Sequence, residues 1–223
     1  SMSMAEIEVT RYGDEYTGET YKAGSFAFGL CSAFNLTDRF SFGTNVKFIN
    51  EKIANNSAKG YAFDIGTMFN TIFGPIIGVS ISNFGPKMRI RGTDLLVNAD
   101  ISIIEGNNPN INSELSTDYF DLPLILRMGI SDSFKIGQVN TLWSIDAINP
   151  IDNSEYLNMG LELKFFEFAA LRFGSKGIFM NNREELFTFG LGINFSNYLE
   201  FSYVYQIFKY VSDIHKYSLG IKF

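Results

Sequence analysis

The stretch "LFTFGLGINF" puts Phe187, Phe189, Leu191, Ile193 and Phe195 on one side of a two-residue period. Thr188, Gly190, Gly192 and Asn194 fall on the other. Three further stretches repeat the pattern. In "GSFAFGLCSAF", Phe26, Phe28, Leu30 and Phe34 oppose Ser25, Ala27, Gly29, Cys31 and Ala33. In "DRFSFGTNVKFINEKI", Phe40, Phe42, Val46 and Phe48 oppose Arg39, Ser41, Asn45, Lys47 and Glu51. In "GYAFDIGTMFNTIF", Tyr61, Phe63, Ile65, Phe69 and Phe73 oppose Asp64, Gly66, Met68 and Asn70. Successive side chains of a strand point to opposite faces, so each stretch is a strand with one bulky apolar face and one small or polar face.

Helical periodicity is nearly absent, and twelve strand-like segments separated by turn signals account for the chain. Several exceed ten residues, against five or six for ordinary strands. The 23 Phe, 11 Tyr and 20 Gly agree with this, since aromatics fit pleated surfaces and Gly fits turns and close contacts. The segments are expected to form one domain over residues 1–223. Even "SMSMAEIEVT" is patterned like a strand rather than a signal peptide.

Several function classes are disfavoured. A net charge of −6 argues against nucleic-acid binding. One cysteine and one histidine leave little from which to build a disulfide or a zinc site. No apolar run reaches the ~18 residues of a membrane-spanning helix.

The distribution of bulk decides between two kinds of β protein. A water-soluble sandwich or lipocalin-like barrel turns its large apolar residues inward and covers its outside with Lys, Glu, Asp and Thr. Here the face opposite the phenylalanines is largely small (Ala27, Gly29, Gly43, Gly66, Gly190, Gly192 and Gly220) with occasional charges, which suits a crowded concave interior, while Phe and Leu suit lipid. The connections are expected to alternate short ("NLTD", "GP", "FE", "SNY") with long (12–20, 52–60, 91–118, 149–156, 177–186), with a medium turn near 131–139 and a last hairpin near 209–214. Outer-membrane barrels have that rhythm. The fold class expected is therefore all-β, a transmembrane antiparallel β-barrel.

On that reading the interior carries both charge signs: Arg39, Lys47, Arg127, Lys164, Arg172, Lys176, Lys216 and Lys222 with Glu51, Asp64, Asp121, Asp146, Glu162 and Glu200. A selective pore would carry one sign, so a braced, ion-paired interior is expected.

The stretches "NLTDRFSFGTNVKFINEKIANNSAKGYAFDIGTMF", "GVSISNFGPKMRIRG" and the closing "HKYSLGIKF" resemble the PorV/PorQ family of outer-membrane proteins, associated with type IX secretion in Bacteroidetes-like bacteria. The likeness is specific over 23–92 and at the C-terminus and weaker over 93–210. It implies a FadL-like barrel of about fourteen strands, of which this chain would hold about twelve. The family's leader, its Gly- and Asn-rich opening segment and its first strands are not seen, so the chain is expected to be partial. The resemblance also implies that Tyr217, Leu219, Ile221 and Phe223 form the terminal signal read by barrel-assembly machinery.

Other candidate sites read as structural. His215 is expected at an interface, Cys31 as a buried inert thiol, and Asp118 with Asp121 as a strand entry rather than a catalytic pair. "GLGINF" opens no helix and so cannot cradle phosphate as a glycine-rich loop does. The connection 91–118 is different, because loops of that length are functional or disordered and this one is apolar. Leu95, Leu96, Val97, Ile101, Ile103 and Ile104 are expected either to plug the barrel mouth or to bind a partner.

The expected function is non-enzymatic and needs no cofactor. The resemblance implies an outer-membrane location and partners among outer-membrane lipid, the secretion translocon, the attachment complex and the C-terminal domains of secreted cargo. Two other readings stay open: a FadL-like channel for hydrophobic small molecules and a soluble β-sandwich binding domain.

Overall fold

A computed structural model describes residues 1–10, 13, 17–99, 111–166, 168–181, 183–196 and 199–221. Of the described residues 72% lie in strands, paired antiparallel, well above the 20–25% strand of an average domain. The strands are β1 (Met2–Ser3), β2 (Ile7–Glu8), β3 (Thr20–Tyr21), β4 (Ala23–Asn35), β5 (Phe40–Ile53), β6 (Asn56–Asn70), β7 (Ile76–Phe84) and β8 (Met88–Gly92). After a 3-10 turn (Thr93–Leu95) come β9 (Leu96–Ala99), β10 (Ile111–Glu114), β11 (Tyr119–Phe120), β12 (Ile125–Ile136), β13 (Val139–Pro150) and β14 (Tyr156–Phe165). β15 (Ala169–Ile178), β16 (Glu185–Ser196), β17 (Leu199–Phe208) and β18 (Ile214–Ile221) complete the series.

Fourteen strands share one sheet, whose main path runs β1-β4-β5-β6-β7-β12-β13-β14-β15-β16-β17-β18. β8 branches from β6 and carries β11, while β9–β10 and β2–β3 are separate two-stranded ribbons. The path is a meander with ends at β1 and β18, which do not pair with each other among the described residues.

Three segments differ from the sequence expectation. "SMSMAEIEVT" yields only the two-residue strands β1 and β2. The long loop expected at 52–60 is a tight turn at 54–55, where Ala54 adopts a φ of 53°. The medium turn expected near 131–139 is the pair Gly137 and Gln138. In the last two cases polar residues that read as loop are the ends of long strands, where backbone pairing continues past the apolar residues.

Two compact units divide the chain. One comprises 1–32, 44–64 and 83–122, the other 33–43, 65–82 and 123–223. In the first, the small core is Ala58, Ala62, Met88 and Leu122, with Ile49, Ile90 and Phe120 packed against it. Gly60 permits this, since a Cβ there would lie 2.7 Å from Met88 Cγ. The small residues of β6 thus make room for β8 to cross close to them. In the second unit, the described buried hydrophobic residues are only Ile148 and Ala170. A unit of this size built around a water-excluding core would bury far more.

Candidate functional site

The cross-strand register of the second unit separates two chemistries. One face presents Ile77, Val79 and Ile81 on β7, paired with Ile130, Met128 and Leu126 on β12. It continues through Trp143 and Ile145 on β13, Leu161 and Met159 on β14, and Phe173 and Leu171 on β15. Phe189, Leu191 and Ile193 on β16 follow, paired with Tyr205, Tyr203 and Phe201 on β17. Tyr217, Leu219 and Ile221 on β18 finish it. Its departures are Asp132, Thr141, Asn149, Ser175 and His215.

This apolar face is uncovered. On β16, Phe187 is 50% exposed, Leu191 50% and Phe195 61%, whereas Gly190 and Gly192 between them are buried. Soluble monomers rarely expose a contiguous apolar patch of more than a few hundred Å². Exposed Ile, Leu or Phe on six of these eight strands (β7, β12, β14, β15, β16 and β18) exceed that.

The opposite face carries most of the small and charged residues, and two groups of its charges are paired. Arg172 Nε donates to Glu162 Oε2 at 2.6 Å, Nη2 lies 3.7 Å from Glu200 Oε1, and Nη1 donates to Ser202 Oγ at 3.3 Å. Gly190 and Gly192 leave room for the guanidinium: a Cβ on Gly192 would stand 3.2 Å from Arg172 Nη1. Lys176 pairs with Glu185 at 3.4 Å, and Glu185 also accepts from Thr188 and Gln206. In the first unit, Lys47 pairs with Asp64 at 2.7 Å. Asp64 also accepts from the Asn83 backbone N–H at 2.8 Å and from Asn45 Nδ2 at 3.0 Å. Asn83 has a φ of 62°, a left-handed conformation that Asn tolerates. Of the residues the sequence assigned to such an interior, Lys47, Asp64, Glu162, Arg172, Lys176 and Glu200 are ion-paired. Arg39, Arg127, Lys164, Lys216, Glu51 and Asp146 form no ion pair among the described residues, and Lys222 lies outside them. Asn83 and Glu185 were not among those assigned. Asp121, which was, is exposed and pairs with Lys87 at 2.9 Å.

The long connection is folded where it is described. Asp94 accepts from Asn55 N, Asn55 Nδ2 and Asn56 Nδ2 at 2.9–3.1 Å, tying the 3-10 turn to the β5–β6 turn. Leu96 and Val97 lie exposed on the β9–β10 ribbon, and Leu95 is half-buried beside it. Ile101, Ile103 and Ile104 lie outside the described residues, as does Phe223. Tyr217, Leu219 and Ile221 are exposed on β18.

Cys31, expected to be buried, is an exposed free thiol on β4, a strand that has only the two-residue β1 to pair with beyond β5. His215 lies on the apolar face, its Nδ1 2.8 Å from Tyr203 Oη and its ring 5.0 Å from that of Tyr205. Among the described residues no three His, Cys, Asp or Glu side chains gather to hold a metal.

One cluster went unread in the sequence. Lys87, Arg89 and Arg91 repeat every second residue in "PKMRIRG" and so share one face of β8. That period-two basic stripe was the signal. No protein-family model and no curated protein matches the chain.

Proposed function

We propose that the chain forms the greater part of an outer-membrane antiparallel β-barrel, with the apolar face against lipid and the charge-paired face lining the interior. The reading is carried by one observation: on β16 the large side chains are the exposed ones, and Gly190 and Gly192 between them are buried. In hydrocarbon, backbone polar groups must be satisfied by pairing, which a closed antiparallel sheet achieves. Closure needs partners for the free edges of β4 and β18. Membrane fractionation of the expressed chain tests this, and recovery from the soluble fraction would refute it.

Within that barrel, the role is that of a scaffold in type IX protein secretion, receiving cargo or anchoring a surface partner through its loops. This rests on the resemblance of 23–92 and of the C-terminal strand to the PorV/PorQ family. It is supported by the exposed Leu96 and Val97 on a ribbon held in place by Asp94. No catalytic step is assigned. Removing residues 95–104 is expected to weaken capture of cargo C-terminal domains while leaving membrane insertion intact. Undiminished capture would remove that loop from the contact surface. A FadL-like channel would need a continuous apolar tunnel, and the paired charges of Arg172, Glu162 and Glu200 favour a braced interior instead.

A further inference from the structure

The first unit holds a cleft of about 430 Å³ lined by Ser57, Lys59, Lys87, Arg89, Arg91 and Tyr119. Three strands assemble it. Ser57 of β6 lies opposite Arg91 of β8, and Arg89 lies opposite Tyr119 of β11. The Arg89 guanidinium stands 5.6 Å over the Tyr119 ring, and its Nη2 donates to Ser116 Oγ at 3.0 Å, so this fork is held in position. Lys87 is neutralised by Asp121. Lys59, Arg89 and Arg91 form no ion pair among the described residues. Like charges on adjoining strands repel and destabilise a sheet. In a chain of net charge −6, three uncompensated cations in one cleft mark a place where an anion offsets the repulsion. Two guanidinium forks, an ammonium and two hydroxyls match a phosphate better than a single carboxylate, because phosphate offers more acceptor oxygens and up to two charges.

The position of the cleft narrows the ligand further. Lys59 is exposed, and the next residues on its side of β6 are the exposed Tyr61 and Phe63, each step about 7 Å along the strand. Phe48 adds to this surface, its ring 5.5 Å from that of Tyr61. Cations therefore give way to bare aromatic surface on a single strand face. A ligand fitting both parts has a phosphate head and an apolar tail.

We infer that the cleft of Lys59, Arg89 and Arg91 binds the phosphate of a membrane lipid whose acyl chain lies along Tyr61 and Phe63. The lipid source rests on the membrane reading above, whereas the anion site rests on the geometry of the cleft alone.

The test uses the full chain in mixed micelles carrying either phosphatidic acid or diacylglycerol with the same acyl chains, with inorganic phosphate as competitor. The wild-type chain is expected to bind phosphatidic acid at least about tenfold more tightly than diacylglycerol. Lys59→Gln with Arg91→Gln, both at exposed positions, should abolish that preference, and Lys59→Arg with Arg91→Lys should keep it. Equal binding of the two lipids, or a preference unchanged by the Gln pair, would overturn the proposal. If inorganic phosphate binds as tightly as the lipid, the site belongs to free phosphate and the lipid assignment falls. Recovery of the chain from the aqueous phase would end the lipid assignment through a separate readout, together with the membrane reading.

Discussion

Asp64 shows what single residues contribute to the polar face. Its carboxylate gathers a lysine, a side-chain amide and a backbone N–H from β5, β5 and β7 respectively. Asp64→Ala removes an acceptor shared by all three, of which Lys47 keeps Asn83 Oδ1, and is expected to cost about 1–3 kcal/mol. Urea unfolding in detergent measures it, and Asp64→Asn, which keeps an acceptor oxygen, should fall between the two. Gly60 makes the complementary point about space. Gly60→Val would drive its side chain into Met88 and should destabilise by about 1–3 kcal/mol. Adding Met88→Ala should return part of that loss, a coupling that a double-mutant cycle reads directly. The sequence showed Gly60 only as one more small residue. Its contact is with β8, some thirty positions away, and no local pattern encodes that.

At the scale of elements, β16 concentrates the argument. Leu191→Lys places a charge on the apolar face and should cost about 2–4 kcal/mol near a bilayer midplane or about 0–1 kcal/mol near an interface. Asn194→Lys, three residues away on the opposite face, should cost less in the same unfolding measurement. The hairpin of β17 and β18 responds to acid through its turn. A hydrogen bond from Tyr205 Oη and one from the Phe208 N–H at 3.2 Å hold the Asp213 carboxyl below its ordinary value. A group with a depressed folded pKa stabilises above its unfolded value and loses that contribution as pH falls through the folded one. Amide-exchange protection in β18 should therefore hold from neutral pH down to about pH 4 and weaken below it. Asp213→Asn should flatten that dependence. Strand phase was legible because a period of two needs only neighbouring residues. Strand ends were not: residues 52–60 read as loop, yet β5 runs to Ile53 and β6 begins at Asn56. Pairing is a backbone property and carries on where side chains turn polar.

Across the whole molecule, alternation in the sequence resolved the two chemical faces and a set of residues of both charge signs, but which of them pair, Lys47 with Asp64 and Arg172 with Glu162 and Glu200, depends on the cross-strand register. It did not resolve the basic cleft, because Lys59 was assigned to a loop and meets Arg89 and Arg91 only through the pairing of β6 with β8. The long connection from 91 to 118 was visible as apolar, but its tie to Asn55 and Asn56 through Asp94 depends on tertiary placement. The account as a whole depends on what touches the apolar face, and the chain carries its own probe there. Trp143 is the one tryptophan, and it lies on that face between Asp132 and Leu161. Its fluorescence should be quenched when the chain is reconstituted in bilayers with brominated acyl chains, and should resist quenching by acrylamide in water. Quenching by acrylamide with none from the brominated chains would contradict a lipid-facing surface.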